Sequence, residues 1–229
     1  MLKTLSLVTV GATVMALGAI TQAEANTIIQ PQSASSNLGE LGSFANINLS
    51  IDQSGLSTPY TSGVTDFDTY VSGNPTHGPF FSNTWISGSS GPGSITFDLG
   101  NVFDLDGMAM WGTGGSFSVQ NFNLFASETG ADSSFVSLGS FVQSFSSGAD
   151  PAEVFNFGTT TAQFIRMDFL SNYGAGSGTG IGEVAFRTAE VTPEPVPEPM
   201  TIFGLATTLG FGALFNKKNA KKQKNKDNN

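Results

Sequence analysis

Between Phe44 and Phe186 the apolar residues fall into short alternating or solid runs, separated by clusters of Gly, Ser, Asp and Asn. Period-two alternation with turn-rich gaps predicts strands, and no stretch carries a convincing 3.6-residue period of an amphipathic helix. The clearest runs are SITFDL at 94–99, DGMAMW at 106–111, VQNFNLFAS at 119–127, FVSLGSFVQSF at 135–145, AEVFNF at 152–157, AQFIRMDFL at 162–170 and GEVAF at 182–186. Seven such runs and a first strand near Phe44 predict one all-β domain over 44–188, a jelly-roll β-sandwich. The chain's 20 phenylalanines supply bulk for two sheets closing over a shared core, with no polar atom to satisfy. DLDGM at 104–108, flanked by strands, reads as a turn in which Asp106-Gly107 supplies the turn chemistry. Residues 26–43 are Ser-, Gln- and Asn-rich without an apolar period and read as a flexible leader.

Both ends break this pattern. Lys3, the apolar stretch from Leu5 to Ile20 and the small-x-small site Ala23-Glu24-Ala25 predict a secretory signal peptide over 1–25, cut by signal peptidase so that the mature chain begins at Asn26. At the other end, residues 189–199 form a Pro/Glu linker whose repeated prolines favour an extended stalk. Met200 to Phe215 carry no charge, and as a helix they would cover about 24 Å of a bilayer core of ~30 Å, which predicts a short membrane span. The tail at 216–229 holds six lysines, and clustered positive charge stays in the cytoplasm, leaving everything before Met200 outside. Pro197-Glu198-Pro199, the glycine-rich apolar run and the basic end, in that order, resemble the PEP-CTERM sorting signal of Gram-negative bacteria and cyanobacteria. The resemblance implies recognition by an exosortase, cleavage near the motif, and transfer from the inner membrane to the outer surface or the extracellular matrix. A permanent single-pass anchor is the other reading of the same residues.

Charge sharpens the picture of the exported part. Between residues 26 and 190 two basic side chains, Arg166 and Arg187, stand against fourteen Asp and Glu, an imbalance that the lysine tail masks in the whole-chain value of −9. Such a field repels phosphate backbones and anionic lipid, so nucleic acid is not an expected partner, while neutral sugars and divalent cations are compatible with it. The absence of cysteine rules out disulfides and thiolate metal sites, so stability must come from packing or oxygen-ligated ions.

A second resemblance spans 44–188. The order NTWIS, GSITFDLGNVFDLDGMAMWG, VQNFNLFAS, AQFIRMDFL, IGEVAF is similar to the discoidin family, the coagulation-factor type C or galactose-binding-like domains. Asp98-Leu99-Gly100 matches the family's strand end, Phe164-Ile165-Arg166 its aromatic-x-arginine strand, and Ile181-Gly182-Glu183-Val184 its closing strand. The resemblance implies a non-catalytic binding domain, frequently for carbohydrate, with ligand loops at one end of the sandwich. It also implies one structural calcium, held by an N-terminal aspartate loop, here Asp66 or Asp68, together with Glu183. No EF-hand pattern is present, although Asp66 and Asp68 do bracket Phe67 in a loop, and hard cations seek six to eight oxygens.

Sugar sites need an aromatic platform with planar polar groups around it. The loop 62–87 offers Tyr70, His77, Asn83 and Trp85 for this. Trp111, before a run of glycines, and Tyr173, in the loop at 171–180, extend the candidate set. Each aromatic has core packing as its other reading, and His77, the only histidine, can equally be an idle loop residue. Catalysis finds little stock: no G-x-S-x-G, no H-E-x-x-H, no cysteine, and no lysine between 26 and 190. An exopolysaccharide-binding surface protein is the leading expectation, a structural matrix component without a specific ligand the alternative, and a polysaccharide hydrolase the third reading.

Overall fold

The computed structural model of the protein describes residues 26–78 and 83–190. Its strands in chain order are β1 (Ile28–Ile29), β2 (Ser33–Ser36), β3 (Thr76–His77), β4 (Trp85–Ile86), β5 (Gly93–Trp111), β6 (Val119–Ser127), β7 (Val136–Val142), β8 (Asp150–Pro151), β9 (Glu153–Asn172), β10 (Gly180–Ile181) and β11 (Glu183–Thr188). One α-helix, α1 (Phe67–Ser72), and two 3-10 turns, Ile47–Ser50 and Asp132–Ser134, complete the described elements. The main sheet runs β1-β11-β5-β9-β6-β7, with β2 also paired to β5, and every pairing is antiparallel.

Two strands of this sheet, β5 with 19 residues and β9 with 20, serve both layers of a sandwich. Their mutual register jumps between Asp98 and Phe103, where Gly100 has a φ of 79° that favours glycine. Before the jump, β5 pairs with β2 and with the second half of β9, which also meets β6; after it, β5 pairs with β11 and the first half of β9. Sequence runs 94–99 and 106–111 are therefore one strand, as are 152–157 and 162–170. DLDGM, expected to be a turn, is instead strand with a second register shift between Leu105 and Gly107. That shift changes which parity faces the core: Ile95, Phe97, Leu99 and Leu105 point inward before it, Met108 and Met110 after it, all at most 1% exposed.

The main core lies between the layers. Trp85 leans on Phe169 (centroids 5.9 Å), Phe97 meets Phe186 edge-on (5.9 Å), and Phe122 contacts Phe141 (5.7 Å) and Phe155 (5.1 Å). A smaller cluster forms where Ala109, Trp111 and Ala185 are covered by Ile28, Tyr60 and Phe67. Most of that cover comes from the segment that contains α1. The helix went unread because six residues make less than two turns, too few for a 3.6 period to register.

The leader is also corrected. Residues 26–43 contain β1, paired to β11, and β2, paired to β5, and Ile28 and Ile29 are buried. Thr27 already accepts and donates hydrogen bonds with Thr188, so ordered pairing begins seventeen residues before Phe44. Among the described residues no helix is long and apolar enough to cross a membrane. The signal peptide with Ala23 and Ala25, the sorting motif Pro197-Glu198-Pro199 and the span at 200–215 lie outside the described residues.

Candidate functional site

The candidate ligand residues of 62–87 do not make a surface together. Trp85, Trp111 and His77 are each 0% exposed, which corrects them from ligand platform to core. The indole of Trp111 donates from Nε1 to Pro75 O at 2.9 Å and lies under the edge of the Tyr70 ring, 6.4 Å away. Tyr70 in turn donates its hydroxyl to Thr58 O at 2.6 Å. His77 is enclosed by glycine: a methyl on Gly55 would run into its ring, and one on Gly182 would sit 2.9 Å from it. Burial pushes its imidazole below the usual range, so it is neutral at physiological pH. Asn83 is exposed, with a left-handed backbone (φ 58°) and its amide donating to Ser54 O at 2.8 Å. An aromatic spacing that suits a sugar platform equally suits the cover of a sheet face, and here the second use prevails.

Tyr173 is placed differently. Three loops meet at the end of the sandwich where β5 ends and β11 begins: 112–118, 143–149 and 173–179. Backbone bonds knit them, Gly148 N donating to Gly114 O (3.2 Å), Ala175 N to Ser116 O (3.3 Å) and Gly180 N to Phe117 O (2.6 Å). Gly114 has a φ of 69°, and a methyl there would collide with the Gly148 carbonyl, so the loops can approach only as glycine. Tyr173 donates its hydroxyl to Gln143 O, and its ring meets Phe145 edge-on with centroids 5.0 Å apart. Phe145 is 56% exposed, so this pair forms an aromatic ledge open to solvent.

A polar floor lies beneath the ledge. Thr113 and Ser118 are buried with their hydroxyls 3.0 Å apart. The Gln143 amide bridges Val119 O (2.8 Å) and Gly112 N (3.1 Å) when its nitrogen faces Val119. Asp150 is buried beside them and its Oδ2 lacks a well-aligned partner. Burial raises its carboxyl above the usual range, against the Ser146 hydroxyl and the Gly112 and Gly114 N–H groups. Phe145 escaped the sequence reading because it closes a run assigned to a strand. The Ser-Ser-Gly-Ala-Asp that follows it is the one local sign that it stands at a strand end.

The acidic candidates are also dispersed. Asp66 caps α1, its Oδ1 accepting the Thr69 N–H at 2.8 Å, and these Thr69 bonds hold its carboxyl below the usual range. Asp68 lies 3.5 Å from Arg187, which also bonds Asp106 at 2.6 Å and Asn156 at 2.8 Å. Glu183 starts the strand in which Arg187 lies four residues on, and it is fully buried. Among the described residues no group of three or more His, Asp and Glu is placed to hold a metal. Glu183 nevertheless stands out. Its Oε2 accepts the Gln53 N–H at 2.7 Å while Oε1 has no partner, and burial, with a smaller contribution from the charge of Asp52, raises its carboxyl to about 9. The buried Tyr60 hydroxyl is likewise unpartnered and is pushed up by burial and by Glu183. Glu183 Oε1 and the Tyr60 hydroxyl are two unpartnered oxygens, where a hard cation takes about six to eight. The bond of Glu183 to the loop at 52–57 comes from the Gln53 N–H, a donor that cannot ligate a metal, and Asp66 and Asp68 are engaged by Thr69 and Arg187 instead.

No family model matches the chain, and no curated protein matches it. Solved structures do. Chitosan-binding module 1 from the chitosanase/glucanase of Paenibacillus sp. IK-5 is 13% identical with a TM-score of 0.50, covering 71% of this chain and 98% of that module. The CBM32-1 and CBM32-2 domains of Clostridium perfringens ZmpB, in complex with GalNAc, are 15% identical with a TM-score of 0.50, covering 70% of this chain and 35% of theirs. The chain thus spans about a third of that two-domain protein. At these identities the likeness is one of fold, and the fold is the discoidin-like antiparallel sandwich found in carbohydrate-binding modules.

Proposed function

We propose that this protein is an exported, surface-sorted glycan-binding domain without catalytic activity, taking an exopolysaccharide or other cell-surface polymer at the Phe145–Tyr173 ledge. The ledge carries the reading. It presents two rings to solvent above a buried polar floor, the combination that a sugar's apolar face and hydroxyl rim require.

Position supports it. Thr27 and Thr188 are hydrogen-bonded, so the two ends that lead to the predicted processing signals leave the domain side by side. Gly182, at the opposite end of β11, packs against Gly112 of the binding loops. The six residues of β11 separate these ends by roughly 20 Å, so the ledge lies away from the point where both chain ends leave the domain. Signal peptidase cleavage after Ala25 and exosortase cleavage near Pro197-Glu198-Pro199 then release a compact acidic domain. Intact mass of the protein from its native surface tests both cuts.

Binding to a panel of neutral glycans, read by affinity electrophoresis, tests the site. Phe145→Ala is expected to weaken binding about tenfold or more while leaving the melting temperature within a few degrees, since the ring is largely exposed. Unchanged binding by Phe145→Ala and Tyr173→Ala would remove the ledge as the site, and silence of the wild type across the panel would overturn the glycan reading itself. The same domain is also proposed to hold calcium with the buried Glu183 carboxylate among its ligands.

A further inference from the structure

The outward face of the layer formed by β2, β5, β9 and β6 carries a transverse row in direct cross-strand register: Ser35, Thr96, Arg166 and Phe125. Arg166 is half of the basic side-chain complement between residues 26 and 190. Arg187 spends its guanidinium on Asp106 and Asn156. Among the described residues Arg166 donates no hydrogen bond, and its one ion pair is the 3.0 Å approach of Nε to Asp168 Oδ1. Stacking holds it instead. The guanidinium carbon lies 4.8 Å from the Phe125 ring centroid and 4.6 Å from that of Phe135. A planar donor fork clamped between two rings is preorganised, so a ligand that accepts its N–H groups need not order it first.

A groove of about 530 Å³ opens at this arginine, with Phe164 on one wall and Ser36 and Asn37 on the β2 side. That volume falls in the range of small-ligand sites. We infer that this groove is a second glycan-binding site, in which vicinal hydroxyls of a neutral hexose chain accept the free N–H groups of Arg166 and a sugar face lies on Phe164. The inference rests on the glycan reading above. Neutral sugar is favoured over uronate by charge: Asp168 balances Arg166, and Asp132 lines the groove with no cation paired to it among the described residues. A carboxylated sugar would bring a third negative group to a single arginine, in a domain already strongly acidic. The groove shares no residue with the Phe145–Tyr173 ledge, so one domain can hold two chains and cross-link a polymer.

The test uses the full-length protein with short neutral gluco- and galacto-oligosaccharides in native mass spectrometry, and with long galactan, glucan and alginate in turbidity assays. Wild type is expected to take a second oligosaccharide per chain and to cloud solutions of a long neutral polymer. Arg166→Gln should lose the second ligand and the clouding while keeping the first. Ser35→Glu, on an exposed edge-strand position, places a carboxylate in the groove without touching the core and should do the same. If Phe145→Ala abolishes all binding, or Ser35→Glu leaves stoichiometry and turbidity unchanged, the protein has one site and the inference fails with the glycan reading intact. Preference for alginate over the neutral polymers overturns the assigned ligand class. Silence of the wild type overturns both readings together.

Discussion

With calcium chelated, the protein is expected to lose stability as pH rises from about 5 to about 9, and Glu183→Gln to remove most of that loss. Unfolded, the Glu183 carboxyl titrates at the ordinary 4.5; folded, burial holds it at about 9. Between those values the native state keeps a proton that the unfolded state has released, so raising pH favours unfolding. One such group contributes about 1.4 kcal/mol per pH unit, and a few units are a large share of a typical stability of about 5–15 kcal/mol. Asp150, also raised, adds a slope of the same sign. His77, held below its usual range, gives the opposite slope below neutrality, where the unfolded imidazole takes up a proton that the buried one refuses. The difference between wild type and Glu183→Gln isolates the one group. Calcium should restore wild-type stability at high pH, since a cation offsets the cost of an ionised carboxylate in the interior, and should leave the variant unmoved. Denaturant midpoints at pH 5, 7 and 9 with chelator and with calcium decide it. Parallel pH profiles for the two proteins would refute the Glu183 account, and an equal calcium shift in both would place the ion elsewhere.

The sheet strands were legible because alternation along Val119–Ser127 encodes a face turned inward, and the solid apolar Val184-Ala185-Phe186 encodes a strand buried on both faces. The continuity of β5 and β9 was not legible, because their bulges at 98–103 and 105–107 interrupt the alternation as a turn would, and only pairing with neighbours distinguishes the two. β2, a Ser-Ala-Ser-Ser segment, carries no apolar signal; the hydrogen bonds offered by the edge of β5 order it. The site is a starker case. Trp85, Trp111 and Tyr173 are equivalent as letters, and burial alone, decided by residues as remote in the chain as Ile181 is from Trp85, makes two of them core and one a rim. Glu183 was expected as a calcium ligand with Asp66 or Asp68, and those two are consumed by a helix cap and by Arg187. Gln53, whose N–H bonds Glu183, and Asp52, whose charge acts on it, sit in a segment with no distinguishing composition.

Replacing the tryptophans separates folding from recognition. Trp85→Ala and Trp111→Ala are each expected to cost about 3–5 kcal/mol, the usual range for emptying a buried indole site, so loss of glycan binding in either would report loss of the fold. Phenylalanine is the sharper probe, because the two indoles differ in one atom's surroundings. The Trp111 Nε1–H satisfies Pro75 O at 2.9 Å. Trp111→Phe leaves that carbonyl without its donor, which costs about 1–3 kcal/mol beyond the lost contact area. The Trp85 Nε1–H is buried with no partner. Trp85→Phe therefore removes an unsatisfied donor, and relief of that penalty offsets part of the packing lost against Phe169, 5.9 Å away. Urea denaturation should rank Trp111→Phe as the more damaging of the pair, with m-values unchanged. The opposite ranking would mean that the two indole environments are misassigned. A Trp85→Phe protein that stays folded and still binds glycan as wild type does would show that recognition needs only the loops the sandwich holds in place.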